Sequence, residues 1–521
     1  MINIIKIYFW QLISLLFSFA SVFIVTPYLA SNPVLYGIYT LVSSANIFLA
    51  YADFGFLGAG MKFAAECYAQ KDLKQEIRII GFTGFIFLLF VCVYAIGVLY
   101  LSFNPGILIK NLANAKELQT ARNLLLILAG SAPVFMLQRV LQIIFAVRLK
   151  DYVFQKILIC SNILKIASAF FFFRTGHYGI VEYFLFSQLC SLAAVIIGLW
   201  IVKTSLKYDL SLFARSLWFN RELYNKTKSL AFVSIFLTIC WIIYYELDPY
   251  VISKLLGSRQ LAVYAIGFTL MEYFRSIFGI IFSPFTAKFN HYIGLRDFEN
   301  LKTNFVKVLV ITLPLIVFPI LSVSTTIKHF IFTWVGPQYV DSVPIACVLV
   351  MGYMFSFITS PSGILVMAFE KARMLYFTNT LLPVVYWAGV AITFHYWGLQ
   401  SFANFKFFSL VIVAISYLII IVKLLKLDFW RFLWKLLSPG LLPVGFILLA
   451  SYTTADYLPL QKTKLNLIIY LLYNGLVVVI AILIYYYISS VFKENLNKII
   501  STVSGKITKS VVPGKNTGVY E

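Results

Sequence analysis

Apolar runs of 18 residues or more recur from one end of this chain to the other, and no other feature constrains its fold as strongly. Each run is long enough to cross the roughly 30 Å hydrocarbon core of a bilayer as a helix. A chain built of such runs is an all-α, polytopic membrane protein. Composition agrees: of 521 residues, 61% are hydrophobic and only 12% charged, and the mean hydropathy of +0.89 lies far above that of soluble domains. No segment is both long and polar enough for a separate soluble domain.

The hydropathy pattern predicts about fourteen helices. Six fall at about 7–29, 37–60, 79–103, 123–147, 157–173 and 179–202. Eight more fall at about 230–254, 262–287, 308–328, 343–369, 375–397, 407–422, 436–454 and 465–490. The first has only Lys6 as a basic flank and is long for a signal sequence, so it reads as a retained span. An even number of spans puts both termini on one side. With that side inside, the inner loops and tails hold 29 Lys and Arg and the outer segments 10, the positive-inside bias of a cytoplasmic amino terminus. Basic loops facing anionic lipid headgroups account for the net charge of +22 without nucleic acid.

Cofactor chemistry leaves little trace. The six cysteines have no CxxC spacing, and the four histidines are scattered singly, so neither suggests a metal site. VPGKNTG near the carboxyl end lacks the spacing of a phosphate-binding loop. A protein that moves a substrate without its own ATPase needs another driving force, here H⁺ or Na⁺.

A repeat divides the chain. TPYLAS at 26–31 and DPYVIS at 248–253 each end the first helix of a half, each is followed by a turn and a tyrosine (Tyr36, Tyr264), and each partner helix ends in KF, at Lys62 and Phe63 and at Lys288 and Phe289. Six spans separate the copies, so the halves share an orientation, as two bundles related by an axis along the membrane normal do. The expected organisation is a six-helix lobe with a basic inner loop over 1–228, a second six-helix lobe over 229–430, two extra helices over 431–490 and a basic cytoplasmic tail over 491–521.

Polar residues at helical spacing mark interior faces. Gln11, Ser14, Ser18 and Ser21 share one face of the first helix, Ser161, Lys165 and Ser168 one face of the fifth, and Ser234, Thr238, Tyr245 and Asp248 one face of the seventh. Such faces serve either as packing contacts or as the lining of a polar cleft. Three cations fall inside spans, Arg139, Lys165 and Arg275, and a charge at a helix centre costs roughly 2.5 to 3.5 kcal/mol, so each needs water, a partner or a ligand. Arg139 lies nine residues before Arg148 and Lys165 nine after Lys156, which predicts equal heights on neighbouring helices and an anion between or beside them. In YADFGFLGAGMKFAAE (51–66), Asp53 lies nine residues before Lys62 and reaches the same height if Gly55, Gly58 and Gly60 leave the helix intact. It then either pairs with a cation structurally or holds the cations until an anionic substrate arrives. Glu272 and Arg275, three residues apart, can satisfy each other. Glu246 and Asp248 complete the carboxylates at which a coupling ion could bind.

The order of these motifs resembles a known family. A TPxLA helix end, a YG turn, DFG-x-x-x-x-x-x-K at 53–62, D-x-x-x-x-S-x-x-x-G at 248–257 followed by VYAIG, and WVGPQY at 334–339 are similar to the polysaccharide transporter, or Wzx-type, flippases. These belong to the MOP superfamily with the MATE drug exporters and lipid II flippases. The resemblance implies that the chain is no enzyme. It implies transport of an undecaprenyl-pyrophosphate-linked oligosaccharide from the cytoplasmic to the periplasmic leaflet of the bacterial inner membrane, with membrane lipids, a glycan polymerase and a chain-length regulator as partners. Arg139, Lys165 and Arg275 then bind the substrate, and Asp53, Glu246, Asp248 and Glu272 balance charge or couple the ion. Aromatic residues such as Tyr244 and Tyr245 are candidates to stack on sugars. A MATE-like exporter of cationic compounds is the first alternative, and an integral membrane glycan polymerase or ligase the second.

Overall fold

The computed structural model describes residues 2–51, 55–110, 112, 114–174 and 177–497. Among these it is all helical. The chain begins with α1 (Ile2–Leu29), α2 (Pro33–Tyr51), α3 (Phe56–Ala69), α4 (Leu73–Phe103) and α5 (Ala115–Val147). It continues through α6 (Asp151–Phe172), α7 (Ile180–Thr204), α8 (Leu210–Arg215), α9 (Arg221–Tyr245), α10 (Asp248–Leu256) and α11 (Ser258–Gly294). Then come α12 (Phe298–Thr325), α13 (Ile327–Trp334), α14 (Ser342–Gly352), α15 (Ser356–Ala368) and α16 (Ala372–Trp397). The last four are α17 (Gln400–Leu424), α18 (Phe429–Leu437), α19 (Leu441–Thr454) and α20 (Lys464–Ile488). Thirteen segments are long and apolar enough to cross a membrane, and Pro33–Leu49 is a shorter apolar helix. The chain is therefore a multi-pass membrane protein.

The side chains confirm lipid as the solvent. Along α20, Tyr470, Asn474, Val477, Ala481 and Tyr485 form one buried stripe, whereas Leu472, Leu476 and Leu483 point outward. A helix in water hides its leucines; this one hides its asparagine. Asn474 accepts from the Ser322 hydroxyl of α12 at 2.6 Å, and Tyr470 meets Thr326 at 2.9 Å.

Several helix starts have an acidic or amide cap. Asp72, Asp209, Asn220, Asp297 and Asp428 each accept the backbone N–H three residues on, which contributes about 1 kcal/mol apiece. Four of the acids in the basic loops are thus committed to backbone, and the lysines around them are left to face outward.

Three differences from the sequence pattern bear on the candidate site. The apolar stretch 37–60 is two helices, since α2 ends at Tyr51 and α3 starts after Gly55, whose φ of 75° is left-handed. The stretch 230–254 breaks after Tyr245, where Asp248 and Pro249 start α10. Pro249 sits in the first turn of α10, where its missing N–H costs no helical bond. Finally, α17 starts at Gln400, which draws Lys406 from an expected outer loop into a helix.

Contacts divide the described residues into two compact units. The first comprises those within Met1–Thr269, Trp334–Ile345 and Asn379–Phe405, and the second those within Leu270–Thr333, Ala346–Thr378 and Lys406–Glu521. The core of the first lies on α4 and α5 with Phe82, Phe87, Phe145 and Phe154 fully enclosed. In the second, α12 packs on α15, α19 and α20.

Candidate functional site

Two enclosed carboxylates lie at the break between α9 and α10. Glu246 caps α9 and Asp248 opens α10, and both are buried, Asp248 completely. Tyr264 of α11 donates its hydroxyl to Asp248 Oδ2 at 2.5 Å. Tyr386 of α16 faces the same carboxylate and stacks edge-on against Tyr244 at 5.5 Å. Trp387 closes the break by donating its indole N–H to the Ile243 carbonyl at 2.8 Å. A buried acid held by phenols can keep its charge through their hydrogen bonds or take up a cation, which is the chemistry of a coupling site. Tyr244 and Tyr245, proposed from sequence as sugar platforms, are instead buried beside this cluster.

The intramembrane cations have separate surroundings. Lys165 Nζ donates to the Ser191 hydroxyl of α7 at 3.1 Å, and among the described residues no carboxylate pairs with it. Arg139 Nη1 donates to Gln142 of its own helix at 3.2 Å. Counted along each helix, the two stand at different distances from the α5–α6 turn. α6 starts at Asp151, five residues before its basic flank, so Lys165 lies fourteen residues, roughly 21 Å, from its helix start. Arg139 lies eight residues, roughly 12 Å, from the end of α5. A substrate meeting both must therefore reach about 9 Å along the helix axis.

Arg275 pairs with Glu272 at 2.5 Å, as their spacing predicts. Asp53 lies outside the described residues. Two residues of the first helix's polar face meet α6: Gln11 donates to Asp151 at 2.9 Å, and Asn162 donates to Ser18 at 3.3 Å.

Sequence reasoning overlooked two features. Lys406 lies six residues into α17 and is completely buried. At the α5–α6 turn, Arg148 makes a bidentate pair with Glu76, Nε to Oε1 and Nη2 to Oε2, both at 2.9 Å. Its third contact is the Leu206 carbonyl at 2.9 Å, and the rings of Tyr68 and Tyr208 cover its faces. Burial pushes the Tyr208 phenol well above the ordinary tyrosine range, so that ring stays neutral against the guanidinium. No local motif joins residues 76 and 148; only the packing of α4 on α5 does.

The chain thus combines helices of membrane-spanning length, a break between α9 and α10 and carboxylates buried at that break. Comparison specifies it further. The chain superposes on the lipid II flippase MurJ in its inward closed conformation with a TM-score of 0.61 at 17% identity, covering 91% of this chain and 99% of that one. It superposes on an inward-facing multidrug resistance MATE family transporter of the MOP superfamily with a TM-score of 0.63 at 14% identity, covering 81% and 99%. An outward-facing MATE family transporter gives 0.55 at 13% identity, covering 81% and 96%. At these identities the likeness is one of fold. No protein-family model and no curated protein sequence matches the chain.

Proposed function

We propose that this protein is a Wzx-type flippase. It carries an undecaprenyl-pyrophosphate-linked oligosaccharide from the cytoplasmic to the periplasmic leaflet of the bacterial inner membrane by alternating access, and it does no covalent chemistry. One observation carries the reading: Lys165 sits deep in a span with a neutral hydroxyl as its hydrogen-bond partner and, among the described residues, no carboxylate beside it. An ammonium in that position is stabilised when an anion arrives, and a pyrophosphate supplies one. Arg139 and Arg275 are the further phosphate ligands. Asp248 with Glu246 forms the site for H⁺ or Na⁺, to which Asp53 and Glu272 contribute charge balance. The MurJ likeness supports a lipid-linked substrate, and a glycan polymerase and chain-length regulator are the partners such a role needs.

The test is surface glycan measured alongside membrane protein level. Lys165→Ala is expected to abolish glycan display with normal protein abundance, and Lys165→Arg to retain it. Normal display in an Arg139→Ala/Lys165→Ala double variant rules the substrate role out. The buried acids Glu246 and Asp248 favour a second reading, export of cationic compounds in the manner of the MATE likeness. Efflux of a cationic dye that is lost in Asp248→Asn, with glycan display unaffected, selects it.

A further inference from the structure

The second unit carries a feature that transport does not use. α18 is nine residues long, and its two faces are both apolar. Phe432 and Leu436, four apart, are buried, whereas Trp430 and Trp434, also four apart and on the opposite side, are 76% and 69% exposed. At 100° per residue, Arg431 and Lys435 fall together on the edge between the two faces. Tryptophans outward with cations beside them are the pattern of a helix lying at the membrane surface, its rings at headgroup level.

Lys435 does not simply point at solvent. It lines a cavity of about 420 Å³ together with Lys302 and Lys307 from the first turns of α12. Lys302 donates to the Lys426 carbonyl at 3.5 Å. Among the described residues no carboxylate pairs with any of the three lysines, and Glu299 is the one acid in the lining. The far wall holds Ser489 and Ser490 beyond α20. Three ammonium groups against one carboxylate leave the cavity with a surplus of two positive charges, and Lys307 is half-buried. Like charges gathered around one cavity repel one another, and an anion among them relieves that repulsion.

A second cavity, of about 310 Å³, continues along the same face of α12. Val306 and Val310 line the first, Leu313 and Val317 the second, a stripe at helical spacing. Ser438 and Pro439 border one cavity and Gly440 the other, so the short turn after α18 separates them. The second lining is aliphatic and aromatic, including Phe355, Leu433 and Leu437. From Lys307 to Leu313 is roughly 9 Å of helix, about the distance from a glycerol phosphate to the upper part of its acyl chain.

We infer that this face of α12 and α18 holds one anionic diacyl phospholipid of the inner leaflet, its phosphate among Lys302, Lys307 and Lys435 and an acyl chain in the apolar cavity. The side follows from the positive-inside bias of the loops. A free phosphate fits the first cavity alone; the second cavity, joined to it along one helix face, selects a lipid. Such a lipid fastens α18 to α12 and so braces the segment that leads into α19.

The test uses the full-length protein in detergent, with native mass spectrometry and thermal unfolding as readouts. Dioleoyl phosphatidylglycerol is expected to remain bound and to raise Tm, while dioleoyl phosphatidylcholine does neither. Lys307→Gln/Lys435→Gln is expected to lose about tenfold or more of that preference, since each lysine near a lipid phosphate contributes about 1 kcal/mol. A photoreactive phosphatidylglycerol with its label in the acyl chain is expected to mark the peptides holding Leu313 and Leu433 in the unaltered protein, which keeps the test valid if the double variant misfolds. Equal retention of both lipids, equal stabilisation by soluble glycerol phosphate, or labelling elsewhere overturns the inference. None of these readouts depends on transport, so they stand or fall apart from the flippase reading.

Discussion

The two Pro-Tyr motifs of the first unit start from nearly the same residues and end as different structures. In TPYLAS, Pro27 stays inside α1; in DPYVIS, Pro249 follows a break and opens α10. Both copies must deal with carbonyls that have lost their N–H partner, and both use an indole. Pro27 cannot donate to the Phe23 carbonyl four residues back, and Trp334 donates to it at 3.0 Å. Tyr339 and Tyr178 fasten the same helix end at Ala30 and Leu29, at 3.0 and 2.5 Å. At the second copy α9 ends at Tyr245, Leu247 leaves the helix, and Trp387 takes the Ile243 carbonyl instead. What differs is the cargo of the break. Ile24 and Thr26 of the first copy correspond to Glu246 and Asp248 of the second. One copy is a sealed helix end; the other, built on the same turn, holds two carboxylates inside the membrane.

The largest expected effect is at that difference. If the second copy is the coupling site, Asp248→Asn keeps the shape and loses the charge, so glycan transport should fall to background with normal protein level. Thr26→Val, at the corresponding place, should change transport less than twofold. Equal losses at both positions would show that the break, and not its charge, is what matters. Next comes Tyr264→Phe, which removes the hydroxyl donated to Asp248. A hydrogen bond to a charged group contributes about 1.5 to 3 kcal/mol, so Tm should drop measurably, and Asp248→Asn in the same chain should reduce the added loss to about half or less.

How much of this was legible beforehand depends on whether the signal was local. Apolar length marked the spans, and the spacing of Glu272 and Arg275 foretold their ion pair, because neighbours on a helix meet whatever the fold. Proline marked the second break only in part: the DPYV string was visible, but a 25-residue apolar run outweighed it. Gly55 was read as a possible weak point, yet whether a helix continues through glycine depends on what packs around it. The Arg148 and Glu76 pair, the burial of Lys406 and the two indole contacts were not legible at all. Each joins or encloses residues far apart in sequence, and only tertiary packing brings them together.

The indole contacts offer a sharper comparison, since the two look alike and should respond differently. Trp334 is fully buried, so Trp334→Phe leaves the Phe23 carbonyl without a donor in an apolar setting and should cost about 1 to 3 kcal/mol in thermal or denaturant unfolding. Pro27→Ala restores the missing N–H at the right place. Combined with Trp334→Phe, it should recover most of that loss, a coupling visible in a double-mutant cycle. Absence of rescue would mean that the indole matters for its ring packing on Phe23, at 5.5 Å, and not for its hydrogen bond.

The smallest effect is expected from Trp387→Phe. Its N–H contact is at an exposed position, so water or a headgroup can replace the lost donor and the cost should be about 1 kcal/mol or less. No proline substitution should rescue it. The freed carbonyl belongs to Ile243, whose helical donor is the N–H of Leu247, and Pro249 lies two residues too far along to block that bond. Pro249→Ala combined with Trp387→Phe should therefore simply add. If it rescued stability, α9 and α10 would have merged into one helix through Leu247. The break would then be imposed by proline alone, not by the burial of Glu246 and Asp248 on either side of it. Additivity, set against the rescue expected at Pro27, would place the cause of the break in its carboxylates and the phenols that hold them.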